Sequence, residues 1–182
     1  AAMAVAAARA TTAVAGPGSF WPACLDALAA LGPAHLLAEA RVVERPCLDL
    51  RLYGLLDPAR SLGRPLPELA RAAAAGGATL LQLRIKEGST LALTEAARAV
   101  GAALAGTGVP LLVDDRVDVA VAAGAAGAHV GRTDLDPGTA RAILGPEAIL
   151  GVTVHHGREA RAVPAGTASY AGLGPVFPTA SK

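Results

Sequence analysis

Between Val109 and Leu135 the chain reads VPLLVDDRVDVAVAAGAAGAHVGRTDL: an apolar strand with an acidic end, a helix of small residues, a second apolar strand with an acidic end. That order leaves little freedom. Two strands joined by a helical crossover run parallel, and a parallel sheet is stable only when helices cover it. Asp115 closes the first strand and Asp134 lies just past the second. Two carboxylates leaving the same ends of neighbouring parallel strands can share one hard cation. Taken alone, Asp114, Asp115, Asp134 and Asp136 each read better as a helix N-cap, the commonest use of Asp at a strand–helix junction.

The same unit recurs along most of the chain. Strands are expected at Leu50–Leu56, Thr79–Ile85, Pro110–Val113, Ala128–Val130, Ile149–Val154 and Ser169–Leu173. Helices are expected between them at Leu66–Ala75, Thr90–Leu104, Val117–Ala123, Pro137–Leu144 and Arg158–Ala162. A strand–helix repeat of roughly 20–25 residues is the mark of parallel βα units. An open doubly wound sheet would carry a Gly-rich fingerprint after its first strand, whereas that strand here runs into LLDPARSLG. In a closed barrel, chemistry gathers at the C-terminal strand ends. Asp57, Lys86, Asp115, Asp134, Thr153 and Thr179 all fall there. The expectation is an α/β fold, a (β/α)8 TIM barrel of which about six βα units are present, occupying residues 47–182. A six-unit barrel leaves strand edges uncovered, so the sequence is expected to be an incomplete piece.

Residues 1–46 differ: helical patterns at Ala1–Val14, Phe20–Leu31 (with Ser19 as N-cap) and Pro33–Val43, and no strand. Such helices need a partner surface for their apolar stripes. The Ala-rich start is interrupted by Arg9 and is too weakly apolar for a signal segment. Hydrophobic residues make up 53% of the chain and aromatics only 3%, so the core is built from Ala, Leu and Val. A net charge of +1, from 16 basic and 15 acidic residues, gives no footprint for nucleic acid. No apolar run reaches the ~20 residues that span a membrane. Cys24 and Cys47 have no metal-type spacing, so a reducing compartment and a cytoplasmic protein are expected.

Three motifs carry chemistry. In TLLQLRIK, Thr79–Lys86, the period of a strand puts Gln82, Arg84 and Lys86 on one face and Leu81, Leu83 and Ile85 on the other. An edge strand at the surface shows the same alternation. Inside a barrel, however, the polar face points into the lumen, where two cations need an anionic partner such as a phosphate. VDDR, Val113–Arg116, supplies acids beside them, and a magnesium–pyrophosphate site takes one or two carboxylates with phosphate oxygens. GLGPVFPTASK, Gly172–Lys182, ends in two hydroxyls and an ammonium on a Gly/Pro-shaped loop, a pattern that suits a phosphate and also an ordinary surface loop. His129 and the pair His155-His156 sit on different elements and so do not read as a metal site; the pair, and the basic residues Arg158 and Arg161, read as solvated. Asp49 and Asp57 read as a boundary residue and a turn acid.

Together, QLRIK, the Val109–Leu135 stretch, ILGVTVH and YAGLGPVFPTASK, in this order, resemble thiamine phosphate synthase over residues 50–182. The resemblance implies a transferase that condenses hydroxymethylpyrimidine diphosphate with hydroxyethylthiazole phosphate, releasing pyrophosphate by a dissociative, Mg2+-assisted route. It places Gln82, Leu83, Arg84, Ile85 and Lys86 at the pyrimidine diphosphate, and Asp114 at the substrate. It places Thr153 on the diphosphate side, Thr179, Ala180 and Ser181 at the thiazole phosphate, and Lys182 at the pyrimidine diphosphate. Asp115 and Asp134 fall on the metal ligands, and Arg84, Lys86 and Lys182 on the catalytic cations. The chain departs from the family's pattern at Asp114, where Asn is usual, and lacks the Gly-Gly phosphate grip after the seventh strand. GPGSFWPACLDAL, Gly16–Leu28, resembles the end of hydroxyethylthiazole kinase, which implies a fused or adjacent kinase as partner. Two alternatives stand beside this reading: a thiazole tautomerase-like barrel, which needs no metal clamp, and a non-catalytic remnant that still binds phosphates.

Overall fold

The computed structural model describes residues 48–175 and residue 177. The expected helices of residues 1–46, both cysteines, and Thr179, Ala180, Ser181 and Lys182 lie outside the described residues. Six strands, β1 (Tyr53–Leu56), β2 (Leu80–Leu83), β3 (Leu111–Asp114), β4 (Gly127–Val130), β5 (Ile149–Val154) and β6 (Tyr170–Leu173), form one sheet. Every pairing is parallel, and the spatial order is β1-β2-β3-β4-β5-β6. A doubly wound sheet reverses its strand order at a switch point. Here the order never reverses, which is the winding of a barrel. Five helices alternate with the strands: α1 (Leu66–Ala75), α2 (Thr90–Leu104), α3 (Val117–Ala123), α4 (Pro137–Leu144) and α5 (Gly157–Ala162).

The sheet is curled. In a flat sheet, five spacings of 4.8 Å would hold β1 and β6 about 24 Å apart. Instead, the rings of Tyr53 on β1 and Tyr170 on β6 meet edge to face, with centroids 5.8 Å apart and planes at 79°. Their hydroxyls are 2.6 Å apart. The lumen holds a small apolar cluster of Leu80, Leu112 and Tyr170, with Leu48, Leu50, Tyr53 and Ile149 against it. The larger core lies outside the sheet, where Leu81, Leu83, Val113, Val130 and Leu150 pack on the helices.

Local sequence explains the helices. Ser89 caps α2 by accepting from the Ala92 N–H, and Leu93, Ala97, Val100 and Leu104 recur at helical spacing on its buried face. Each fully buried Leu contributes roughly 1.5–3 kcal/mol before entropy is counted. Small side chains bring layers close, and two glycines are obligatory for that. A Cβ on Gly127 would stand 1.8 Å from the Ile149 carbonyl oxygen, and one on Gly151 would stand 2.3 Å from the Tyr170 ring. Among the described residues, no helix is long and apolar enough to cross a membrane.

Two strand boundaries move by more than one residue relative to the sequence expectation. The first strand starts at Tyr53, not Leu50. The Asp49 carboxylate accepts from the Arg51 N–H at 3.0 Å and turns the chain out of the ladder. The second strand ends at Leu83, short of Ile85; Arg84 N–H still donates to Leu56 C=O at 2.8 Å, after which the chain leaves the sheet. Arg84 and Lys86 therefore stand on the rim above β2, beyond the last ladder pair.

Candidate functional site

At the C-terminal ends of β1 to β4, acids and bases alternate around the rim. Asp57, just past β1, spends one carboxylate oxygen on the Ala59 N–H (2.9 Å), capping a short 3-10 turn, and the other on Arg84 Nη1 at 2.9 Å. Arg84 Nε lies 3.6 Å from Asp114 Oδ2. Lys86 Nζ reaches the same Asp114 oxygen at 2.8 Å and Asp115 Oδ2 at 2.5 Å. Asp134 follows, its Oδ2 accepting from the Gly131 N–H at 2.7 Å. Four carboxylates meet two cations along this series, a formal surplus of two negative charges.

Asp114 and Asp115 are adjacent in sequence yet point to different places. Asp114 ends β3 in register with His129, so its side chain faces the lumen and is 8% exposed. Asp115 has φ +62°, a left-handed conformation that Asp tolerates better than most residues. This turn brings its carboxylate beside that of Asp134. Neither acid caps α3: the N-cap position is Arg116, without a side-chain cap bond. Asp136, by contrast, is a true cap, accepting from Gly138 and Thr139 N–H groups at 3.0 and 3.1 Å.

Beneath the rim a hydrogen-bonded series crosses the lumen. Gln82 Nε2 donates to Asp114 Oδ1, and Gln82 Oε1 accepts from the Tyr53 hydroxyl. With the Tyr53 proton used there, Tyr170 must donate to the Tyr53 oxygen at 2.6 Å. The Tyr170 oxygen then accepts from His129 Nδ1–H at 2.8 Å, and a neutral His129 accepts from the Thr153 hydroxyl at Nε2, 2.7 Å away. The Asp114 carboxylate thus fixes the direction of every donor back to Thr153.

Burial pushes the Asp114 carboxyl above its ordinary range, against the pull of Lys86 and Arg84 and with help from Asp115. Asp134 is raised too, first by burial; the Gly131 N–H opposes this and the Asp115 charge adds to it. For Lys86, burial works against the charge, but hydrogen bonds to Asp114 and Asp115 outweigh it and hold the ammonium's pKa up. Burial likewise raises Tyr53 to about 12 and Tyr170 further still. Both phenols remain protonated donors at neutral pH.

The structure therefore brings together Gln82, Arg84, Lys86, Asp114, Asp115 and Asp134, with Thr153 at the far end of the lumen series. Leu83 and Ile85 go elsewhere: their side chains pack into the core outside the sheet, leaving only main chain to offer a ligand. His155 and His156 pair with Glu159 at the surface, and Arg158 and Arg161 are exposed. Three participants escape a reading of the sequence, Tyr53, His129 and Tyr170, while Asp57 is legible as a strand-end and turn acid but not as the partner of Arg84. A signal existed for two of the three, since the chain's only 2 tyrosines both lie in strands. Among the described residues no group of three or more His, Cys, Asp or Glu side chains is set to hold a metal. A cation here would take Asp115 and Asp134 and draw its other ligands from a substrate and water. That division suits Mg2+, which keeps waters and phosphate oxygens around one or two carboxylates, and one divalent cation matches the surplus charge.

Known proteins resemble this chain in sequence and in fold. The family model described as thiamine monophosphate synthase matches residues 52–182. A thiamine-phosphate synthase of Agrobacterium fabrum is 52% identical over 135 residues, 74% of this chain and 61% of that protein. A thiamine biosynthesis bifunctional protein ThiM/ThiE of Symbiobacterium thermophilum is 40% identical over 174 residues, 96% of this chain and 35% of that protein. Among solved structures, a thiamine phosphate pyrophosphorylase from Pyrococcus furiosus superposes with a TM-score of 0.63 at 34% identity, covering 70% of this chain and 62% of that one. The chain spans about three-fifths of the length of the first curated relatives, 61%, 63% and 64%.

Proposed function

The chain belongs to the thiamine monophosphate synthase family, and from that premise we propose that it carries the site of a transferase joining hydroxymethylpyrimidine diphosphate to hydroxyethylthiazole phosphate. The products are thiamine phosphate and pyrophosphate. The observation that carries the reading is the rim itself. Arg84 and Lys86 leave one strand end and are held by carboxylates that a polyanion and a divalent cation together would re-partner.

In this reading Arg84 and Lys86 bind the diphosphate, with Thr153 on its side of the lumen, and Lys182 joins them from the C-terminal loop. Thr179, Ala180 and Ser181 bind the thiazole phosphate. Asp115 and Asp134 hold Mg2+, which when bound neutralises charge on the departing diphosphate. The lumen below presents the flat rings of His129, Tyr53 and Tyr170 with the Gln82 amide, a surface suited to an aromatic heterocycle. The bond from the pyrimidine methylene carbon to the diphosphate oxygen breaks, and its electron pair leaves with the diphosphate. The ring nitrogen of the thiazole then donates its lone pair to that carbon. No protein nucleophile or base is required. Fixed cations at the leaving oxygens supply the stabilisation, and they act most strongly where water is excluded.

The metal clamp favours this reading over a tautomerase, which has no use for two carboxylates beside two phosphate-binding cations. The test is formation of thiamine phosphate from both substrates with Mg2+. Turnover that survives EDTA and the double change Asp115→Ala/Asp134→Ala would overturn the metal assignment. For residues 1–46 we propose the end of a hydroxyethylthiazole kinase unit, supported by the length of the match to the bifunctional relative, which covers 96% of this chain. A cytoplasmic location agrees with the phosphorylated substrates.

A further inference from the structure

Arg84 and Lys86 are both rim cations, but they are held differently. Arg84 is anchored by Asp57 and lies near Asp114, and its side chain is 24% exposed. Lys86 is a long flexible side chain, 45% exposed, whose ammonium bridges Asp114 and Asp115. Asp115 is thus a carboxylate with two claimants.

We infer that Lys86 and the metal exclude one another at Asp115, so that metal loading is the event that releases the Lys86 ammonium towards the diphosphate. The inference rests on the assignment of Asp115 and Asp134 as metal ligands. The geometry supports it. The ammonium stands 2.5 Å from Asp115 Oδ2. A Mg2+ bound to that oxygen at about 2.0–2.1 Å would bring two cations to within roughly 4 Å of each other, with strong repulsion in a partly buried site. Lys86 has somewhere to go, because its stem is half exposed and a phosphate offers it a better-matched partner. Arg84, held by Asp57 and lying near Asp114, has no part in the exchange. The site then assembles in order. Asp114 and Asp115 hold the lysine until a divalent cation displaces it from Asp115, and the ammonium, then held by Asp114 alone, and the metal close on the same leaving group.

The chain contains 2 lysines, Lys86 and Lys182, which makes the exchange visible. Protein labelled with 13C-lysine gives two ε-methylene resonances, assigned by changing each lysine to Arg. Adding Mg2+ alone, without phosphate, should shift the Lys86 signal. Titration with Mn2+ alone should show Lys86→Met binding about tenfold tighter than the parent, and Arg84→Met, which loses the same charge, less than about threefold tighter. Equal gains in the two variants, or a Lys86 resonance indifferent to Mg2+ while Mn2+ binds through Asp115, would overturn the inference and leave the metal site standing. Mn2+ binding unaffected by Asp115→Ala and Asp134→Ala, or absent throughout, would remove the metal assignment and the inference with it. The resonance in unmodified protein decides the matter should either methionine variant fail to fold.

Discussion

The floor and the rim of the lumen are built by the same strands a few residues apart, yet they obey opposite rules. β2 sets Leu80 at the floor and Gln82 above it, and the chain leaving it carries Arg84 and Lys86 on the rim; β3 sets Leu112 at the floor and Asp114 above. At a rise of about 3.3 Å per residue, each step of two climbs less than 7 Å. Over two or three such steps along the chain through β2 the environment changes from fully buried leucine to ion pairs partly open to water. The floor is held by contacts that need no particular partner, only volume. The rim is held by charges that each need a specific partner and can exchange it. Stability and chemistry are therefore separated by depth, and substitutions at different depths should fail in different ways.

The largest effect belongs to the rim. Asp115→Ala/Asp134→Ala should lower the rate of thiamine phosphate formation by about a thousandfold or more while moving the melting temperature little, as expected for lost transition-state electrostatics. A parallel loss of the cooperative melt would break the separation by depth. Leu112→Ala should do the reverse. It should cost about 2–5 kcal/mol in urea unfolding, the usual range for a buried Leu, and leave the affinity of the remaining folded protein for Mn2+ unchanged. Gly151→Ala sits between the layers. Its new methyl would meet the Tyr170 ring and His129 Nδ1, 2.3 and 2.4 Å from an ideal Cβ, so about 1–3 kcal/mol of stability should go together with the His129–Tyr170 bond. The His129 ring resonances report that loss.

The smallest effect, and the sharpest, is Asp114→Asn. Burial raises the folded pKa of this carboxyl above its unfolded value of 3.8. The folded state then binds the proton more tightly than the unfolded one, and stability falls as pH rises from near that unfolded value through the folded pKa. Asp114 thus carries a penalty at neutral pH that acid removes. Asparagine should raise the melting temperature at pH 7 by about a few degrees, with the gain shrinking as pH falls towards 3.8. A loss at pH 7 that fades as pH falls would mean that the ion pair with Lys86, not burial, governs this position.

Much of the architecture was legible because βα units punctuate themselves. Gly124 at φ +66° ends α3 where the sequence put a stop, and Ser89 and Asp136 supply caps beside helices whose apolar spacing was plain. The alternation in TLLQLRIK identified a polar face correctly, yet alternation names a face and not a neighbour. Nothing local says that Arg84 will find Asp57, 27 residues earlier, or that Tyr53 will touch Tyr170, 117 residues later. Those contacts arise from the curl of the whole sheet. The same limit applies to Asp114 and Asp115, alike in sequence. Only the left-handed backbone at Asp115 sends one carboxylate to the rim while the other faces the lumen.

The meeting of Tyr53 and Tyr170 also bears on how the fold is reached. Contacts between residues so distant in sequence form slowly, because the intervening chain must be ordered before they reward it. β1 cannot touch β6 until the four strands between them have bent into place, so the inside of the sheet is the last part of these residues to be made. With no other tyrosine in the chain, the near-ultraviolet circular dichroism of the tyrosine band becomes a clock for that final step. In a refolding experiment the far-ultraviolet helix signal should return first and the tyrosine band after it.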